Sequence, residues 1–204
     1  MVLPGQYLER PALVSAGDVT LEALYHRGRR PPGLLVCPAL DGEGMDAPLL
    51  AEIAWAAARE GHASLRFQHR GRGASQGAFD PSTLVVDALA ALLHLRETAG
   101  PVAAVVGLGT GCGAAVEAAA RGGVRRVVLA APATLPVVPA GVDVLALLPE
   151  LGSPLGVDAV AMALSGGGGR VEVVEGADPA FRAGMSRAAA RAVAWVSALG
   201  VREA

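Results

Sequence analysis

A glycine-rich segment near the middle of the chain carries side chains that could do chemistry. Residues 107–113 have the sequence GLGTGCG and lie between a predicted strand and a predicted helix. A helix N-terminus can lower the pKa of a thiol in its first turn, which would make Cys112 a nucleophile. Cysteine is equally a small residue that packs in apolar cores, so both roles stay open.

The same glycines match the dinucleotide-binding pattern G-x-G-x-x-A, from Gly109 to Ala114. In that pattern an acidic residue at the end of the next strand holds the ribose. The next predicted strand ends at residues 129–132 (LAAP), which contain no acid. We therefore expect no nucleotide and no other cofactor.

The composition predicts one globular domain over residues 1–204, since 52% of the chain is hydrophobic and 18% is charged. A net charge of -2 and an aromatic content of 3% give no surface for nucleic acid. Cys37 and Cys112 lack metal-binding spacing, so no metal site is expected. Because no apolar run could span a bilayer and the N-terminal residues do not resemble a signal peptide, we expect a cytoplasmic protein without membrane contact.

Short apolar strands alternate with alanine-rich helical segments. This alternation predicts a three-layer α/β/α sandwich with a mostly parallel central sheet of about eight strands. Predicted strands cover residues 13–15, 19–25, 33–37, 63–67, 102–106, 126–130, 142–148 and 170–175. Predicted helices cover residues 47–60, 81–98, 113–121 and 180–199, the second of them capped by Asp80.

Three motifs, taken in order, resemble the small, lid-less bacterial branch of the α/β-hydrolase superfamily. Residues 65–77 (LRFQHRGRGASQG) are similar to that family's LRF-x-x-RG-x-G-x-S-x-G segment. Residues 37–46 (CPALDGEGMD) resemble its oxyanion loop, and residues 107–113 fall where it has the nucleophile elbow, a strained turn between strand and helix. The resemblance covers nearly the whole chain and implies the α/β-hydrolase fold.

The resemblance also implies that all three catalytic-triad positions are substituted. Gly109 stands in the place of the nucleophile, and glycine has no hydroxyl or thiol to form an acyl-enzyme. Leu151 stands in the place of the acid and Pro179 in that of the histidine, and no histidine follows His94. We therefore expect a non-catalytic pseudo-hydrolase that acts as a binding or protein-interaction module, with a protein partner or a second copy of the chain.

Two alternatives remain open. The first is an active esterase-like hydrolase of esters or thioesters with displaced chemistry, which would use Cys112 or a carboxylate such as Glu150 or Asp178. The second is a small-molecule binder that keeps the oxyanion pocket, formed by the backbone N–H of Thr110 and by the loop at residues 39–40.

The candidate pocket combines the ends of three predicted strands. Its residues are Cys37, Ala39, Leu40, Asp41, His69, Thr110 and Cys112. Asp41 either points into the pocket or, like Asp46, caps the following helix. We expect His69 to be solvated or bonded to the backbone unless it lines the pocket, and Arg70 to bind loop carbonyls. Cys37 and Cys112 are either a redox pair or two reduced core thiols.

Overall fold

The computed structural model describes residues 9–135 and 137–198 and confirms the predicted class of fold. Its strands are β1 (Arg10–Ala16), β2 (Val19–His26), β3 (Arg30–Cys37), β4 (His62–Phe67), β5 (Val102–Leu108), β6 (Arg126–Ala130), β7 (Asp143–Pro149) and β8 (Arg170–Val174). Its helices are α1 (Pro48–Arg59), α2 (Leu84–Ala99), α3 (Cys112–Arg121), α4 (Val157–Leu164) and α5 (Met185–Ser197).

The strands form one eight-stranded sheet in the order β1-β2-β4-β3-β5-β6-β7-β8. The β1 and β2 strands form the expected antiparallel hairpin, β2 also pairs antiparallel with β4, and all later pairs are parallel. The carboxyl ends of the six strands β3 to β8 therefore meet at one edge of the sheet. Ligands of open α/β sheets bind at this edge.

Helices cover both faces of the sheet and enclose two apolar cores. Val105 packs in one core, while its neighbours Ala104 and Val106 pack in the other. This alternation follows from the period of two in a strand, and it explains why β5 is apolar throughout. The first core includes residues of α2, α3 and α4, and the second includes residues of α1 and α5.

Two helices differ from the prediction. The α4 helix was not predicted, because it buries only Val160 and Leu164 and so has too short an apolar pattern. The last helix begins at Met185 instead of residue 180, because Phe181 and Gly184 both have left-handed backbone angles, with φ of 53° and 78°. Such angles are incompatible with a continuous right-handed helix.

Asp80 caps the segment before α2 as predicted, since its Oδ1 accepts a hydrogen bond from the N–H of Ser82 at 2.9 Å. A single 3-10 turn, Pro81–Thr83, precedes the α-helix proper. Across the described ranges, we find no helix with both the length and the apolar character needed to cross a bilayer.

Candidate functional site

A tight turn joins β5 to α3 at the carboxyl edge of the sheet. It is a short 3-10 turn, Gly109–Gly111, in which Gly109 has a φ of +54°. A Cβ atom on Gly111 would lie 2.0 Å from the carbonyl oxygen of Pro38, so only glycine fits there. The loop after β3 is thus packed directly against the turn.

This packing places the hydroxyl of Thr110 between two groups of the loop. Its Oγ1 accepts a hydrogen bond from the N–H of Leu40 and donates one to Oδ1 of Asp41, both at 2.8 Å. Thr110 and Asp41 are exposed, so a substrate can reach them. The pair is therefore a candidate nucleophile, the hydroxyl, hydrogen-bonded to a candidate general base, the carboxylate. The N–H of Leu40, expected to bind a substrate oxyanion, is used by Thr110 instead.

Both cysteines are free and buried. Cys37 lies in β3 opposite Gly107 of β5, and the thiol of Cys112 lies 3.8 Å from the carbonyl oxygen of Ala130. Burial raises the pKa of both thiols, whereas a reactive cysteine needs a lowered pKa. The position of Cys112 in the first turn of α3 does not overcome this burial, which argues against Cys112 as a displaced nucleophile.

The two carboxylates suggested for displaced chemistry instead hold loops. Glu150, just after β7, accepts a hydrogen bond from the N–H of Gly176 at 2.7 Å. Asp178 accepts hydrogen bonds from three backbone N–H groups between residues 180 and 183. These bonds, led by the one from Ala183, lower the pKa of Asp178. Both carboxylates therefore bind backbone N–H groups of the loop that follows β8.

The loops after β7 and β8 contact each other at the same edge of the sheet. The N–H of Leu151 donates to the carbonyl oxygen of Ala177 at 2.9 Å, and Leu151 is largely exposed. Pro179 lies beside Gly152, where an added Cβ would be 3.2 Å from its Cγ. That Gly109, Leu151 and Pro179 occupy the places of a triad stays a prediction.

His69 is neither solvated nor bonded to the backbone; it follows the other expectation and lies in the wall of a small cavity together with Ala39 and Leu40 of the candidate pocket. The residue is 1% exposed. Its Nδ1 lies 3.5 Å from Oδ2 of Asp87, which is completely buried in α2. Arg70 was expected to bind loop carbonyls but donates from Nε and Nη2 to Oδ1 of Asp87, at 2.9 and 2.8 Å.

Solved structures match this architecture over almost the whole chain. Dienelactone hydrolase from Anabaena variabilis has a TM-score of 0.73 and 23% identity, covering 95% of this chain and 98% of that chain. Est1E from Butyrivibrio proteoclasticus, with ferulic acid bound, has a TM-score of 0.77 and 13% identity, covering 92% and 98%. A serine hydrolase without a lid from Xanthomonas campestris has a TM-score of 0.69 and 16% identity, covering 96% of each chain.

The chain has the α/β-hydrolase fold. At these identities the likeness establishes the fold and not a particular reaction. No protein-family model and no curated protein sequence matches the chain.

The prediction of a non-catalytic pseudo-hydrolase is wrong. Proteins with this fold that resemble the chain are described as a serine hydrolase, an esterase and a dienelactone hydrolase, and this finding contradicts the prediction. That prediction rested on the substitution of Gly109, Leu151 and Pro179 and on the absence of a histidine after His94. In the structure, the residue after Gly109 presents a hydroxyl to a carboxylate at the same edge of the hydrolase fold.

Sequence reasoning missed the pairing of Asp41 with Thr110 and the burial of Asp87. Neither Asp41 nor Asp46 caps α1, whose N-cap Ala47 makes no side-chain hydrogen bond. Asp41 binds Thr110 instead, and this contact joins loops 69 residues apart in the chain. The sequence contained one signal for Asp87, an acidic residue on the apolar face of α2. Because charged residues are rarely buried unless they are paired, this position predicts a buried ion pair.

The described residues of this hydrolase fold offer no cluster of three or more His, Cys, Asp or Glu side chains that could hold a metal ion.

Proposed function

We propose that this protein is a hydrolase of carboxylic esters or thioesters in which Thr110 and Asp41 carry the chemistry. The observation behind the proposal is the 2.8 Å hydrogen bond from the hydroxyl of Thr110 to the carboxylate of Asp41. The pair is exposed, and it lies at the strand edge where α/β proteins bind their ligands. Hydrolases and esterases among the similar structures support the reaction class.

In the first half of the proposed reaction, Asp41 accepts the proton of the Thr110 hydroxyl as Oγ1 attacks the carbonyl carbon of the ester. The N–H of Leu40, which donates to Oγ1, holds this oxygen in place while its proton moves to Asp41. The negative charge of the tetrahedral intermediate develops on the former carbonyl oxygen of the ester. The carbon–oxygen or carbon–sulfur bond to the leaving group then breaks. The leaving alcohol or thiol takes the proton from Asp41, and the acyl group stays on Thr110.

In the second half, a water molecule attacks the acyl carbon while Asp41 accepts one of its protons. The bond from the acyl carbon to Oγ1 breaks, Oγ1 regains the proton from Asp41, and the carboxylic acid leaves. A carboxylate is a weaker base than histidine, so it removes a hydroxyl proton less readily. We therefore expect the best substrates to be esters and thioesters whose leaving groups depart easily.

The test is the rate of hydrolysis of p-nitrophenyl acetate and p-nitrophenyl butyrate by purified protein. Thr110→Val removes the hydroxyl and keeps the branched shape, and Asp41→Asn removes the base. Each should lower kcat/KM by about a hundredfold or more, the usual contribution of a general base or a nucleophile. Thr98→Val and Asp46→Asn make the same chemical changes away from the pair and should leave the rate unchanged.

A second measurement detects the intermediate directly. Rapid acid quenching followed by peptide mass spectrometry should find one acyl group on the peptide that contains Thr110, and none in Thr110→Val. The proposal is wrong if wild-type protein hydrolyses neither oxygen esters nor thioesters, or if both variants keep the wild-type rate.

We also propose a cytoplasmic location. The support is that Cys37 and Cys112 are both free thiols, the form in which the cytoplasm keeps cysteines. Fractionation of the source cells with an antibody to the protein would test it, and recovery outside the cytoplasm would contradict it.

A further inference from the structure

A groove of about 550 Å³ lies on the protein surface beside α3. Its lining comes from α3 between Gly113 and Arg121, from the start of α2 with the 3-10 turn before it, and from the loop after β6. Small-molecule sites in proteins commonly have volumes of about 300–1,000 Å³ and mostly apolar walls. The groove is therefore large enough to hold a small organic ligand.

Most side chains that line this groove are apolar. They include Leu84 and Val85 of α2, Val116 and Ala120 of α3, and Val137 of the loop after β6. Val137 is 92% exposed, so an apolar ligand in the groove would cover surface that otherwise contacts water. Burial of apolar surface favours binding, by about fourfold for each methylene group that leaves water.

The charged side chains in the described lining neutralise each other. They are Glu117 and Arg121, which form an ion pair across one turn of α3. A charged ligand would find no unpaired counter-charge in this lining, and it would lose part of its hydration on entering an apolar groove. These conditions favour an uncharged, apolar ligand.

The near end of the groove lies close to the Thr110–Asp41 pair. Gly113 is the first residue of α3 in the lining, and it follows Thr110 by three positions, a spacing of less than one helical turn. An added Cβ on Gly113 would meet nothing within 4 Å, so this end is open space. From Gly113 to Arg121 the helix extends roughly 12 Å away from the sheet edge that carries the pair.

The proposed reaction determines which part of an ester this groove can hold. In the acyl-enzyme the acyl carbon is bonded to Oγ1 of Thr110, so the acyl chain starts near the groove and stays there until water attacks. The leaving group has no bond to the protein and departs in the first half of the reaction. The acyl chain is therefore the part of the substrate that can occupy the groove through both halves.

We propose that the groove binds the acyl chain of the substrate, and that the preferred substrates are esters and thioesters with uncharged, linear acyl chains of about eight carbons, which suit a length of roughly 12 Å. This inference rests on the proposed function, because it assigns a substrate class to the Thr110–Asp41 pair. It adds a binding site for the chain that is separate from those two residues.

The first test compares acyl chain lengths. The kcat/KM of wild-type protein should be about tenfold or more higher for p-nitrophenyl octanoate than for p-nitrophenyl acetate, because several methylene groups leave water. The isomers S-methyl octanethioate and S-heptyl ethanethioate carry the same heptyl chain, on the acyl side in the first and on the leaving side in the second. The first isomer should be hydrolysed faster.

Three variants locate the chain in the groove. Gly113→Leu fills the open near end and should remove most of the preference for octanoate over acetate. Gly156→Leu adds the same side chain before α4, where an added Cβ also meets nothing within 4 Å, and should keep the wild-type preference. Val85→Thr keeps the shape of the wall and adds a hydroxyl, so it should lower the preference severalfold even if Gly113→Leu does not fold.

Binding without turnover separates the groove from the ester reaction. In saturation-transfer NMR, n-octanol should bind saturably to wild type, to Thr110→Val and to Gly156→Leu, and more weakly to Gly113→Leu and Val85→Thr. Octanol binding with this pattern but without any hydrolysis would refute the proposed reaction and not the groove. Hydrolysis of the acetate without octanol binding would refute the groove and not the reaction.

The inference is overturned by equal kcat/KM for the octanoate and the acetate, or by faster hydrolysis of S-heptyl ethanethioate than of its isomer. It is also overturned if octanol binds to Gly113→Leu and Val85→Thr as tightly as to wild type.

Discussion

The hydroxyl of Thr110 and the thiol of Cys112 are two residues apart and have opposite environments. Thr110 is exposed, and its hydroxyl is hydrogen-bonded to a carboxylate. Cys112 is 1% exposed and lies among apolar residues under the sheet edge. Burial disfavours the charged thiolate, so the intrinsically better nucleophile is the less reactive group here.

We predict from this burial that Cys112 does not take part in ester hydrolysis. Burial raises the pKa of its thiol, so very little thiolate exists at neutral pH. Cys112→Ala should hydrolyse p-nitrophenyl acetate at the wild-type rate. Iodoacetamide should label both thiols much more slowly in the native protein than in the protein unfolded in guanidinium chloride. Rapid labelling of Cys112 in the native state, with loss of activity in the alanine variant, would restore a cysteine mechanism.

At the scale of elements, the contact between the β5–α3 turn and the loop after β3 positions the Thr110–Asp41 pair. The two segments approach so closely that a Cβ on Gly111 would lie 2.0 Å from the carbonyl oxygen of Pro38 and 2.8 Å from its carbonyl carbon. Backbone atoms cannot yield as a flexible side chain can. The geometry of the Thr110–Asp41 pair therefore depends on the absence of a side chain at Gly111. The reason is the close contact with Pro38 and not the backbone angles of the glycine.

We predict that Gly111→Ala destabilises the protein by about 3 kcal/mol or prevents its folding, because overpacking against backbone forces the two segments apart. Gly113→Ala is the matched control two residues later, where an added Cβ meets nothing within 4 Å. Since alanine is the better helix former, this second change should stabilise α3 by about 0.5–1 kcal/mol. Urea unfolding of both variants measures the effect. Equal stability of the two would contradict the close contact.

Most elements of this fold could be predicted because their apolar patterns are local. The continuous run at β5 and the capping of the segment before α2 by Asp80 are both visible in a few neighbouring residues. The left-handed angle of Phe181 has no such signal, since it depends on the packing of that side chain in the core. The start of α5 was misplaced for this reason.

The site was harder to predict because its contacts connect residues distant in sequence. Asp41 meets Thr110 across 69 residues, and His69 meets Asp87 across two different elements. Spacing within a motif cannot reveal such pairs. The resemblance to the hydrolase family predicted the fold correctly. The triad positions that it implies, Gly109, Leu151 and Pro179, include neither the hydroxyl of Thr110 nor the carboxylate of Asp41.

At the scale of the whole molecule, Asp87 connects the loop after β4 to helix α2, through its contacts with His69 and Arg70. Asp87 is fully buried in α2 and receives hydrogen bonds from both the backbone N–H and the guanidinium of Arg70. Burial by itself would raise the pKa of Asp87, but its interactions with His69 and Arg70 outweigh burial and lower that pKa. Folding therefore favours the ionised carboxylate, which makes global stability depend on pH.

The direction of this dependence follows from the lowered pKa in the folded state. In the unfolded chain the carboxyl titrates near its ordinary value of about 4. The stabilisation from Asp87 is therefore fully present above about pH 4, and it is lost as the pH falls further, toward the folded-state pKa. Asp87→Asn removes the charge and leaves Arg70 without its partner, which should cost about 3 kcal/mol at neutral pH.

We predict that the difference in unfolding free energy between wild type and Asp87→Asn is large at about pH 7 and smaller at about pH 3, because below about pH 4 the unfolded carboxyl takes up a proton while the folded carboxyl, with its lowered pKa, resists protonation. Urea unfolding at a series of pH values measures this difference. Asp158→Asn removes an exposed carboxylate from α4, and its small effect should change little with pH. The prediction is contradicted if the difference in unfolding free energy between wild type and Asp87→Asn is the same at both pH values. The asparagine would then destabilise the protein only through lost packing or hydrogen bonds, and the charge on Asp87 would not contribute to folding.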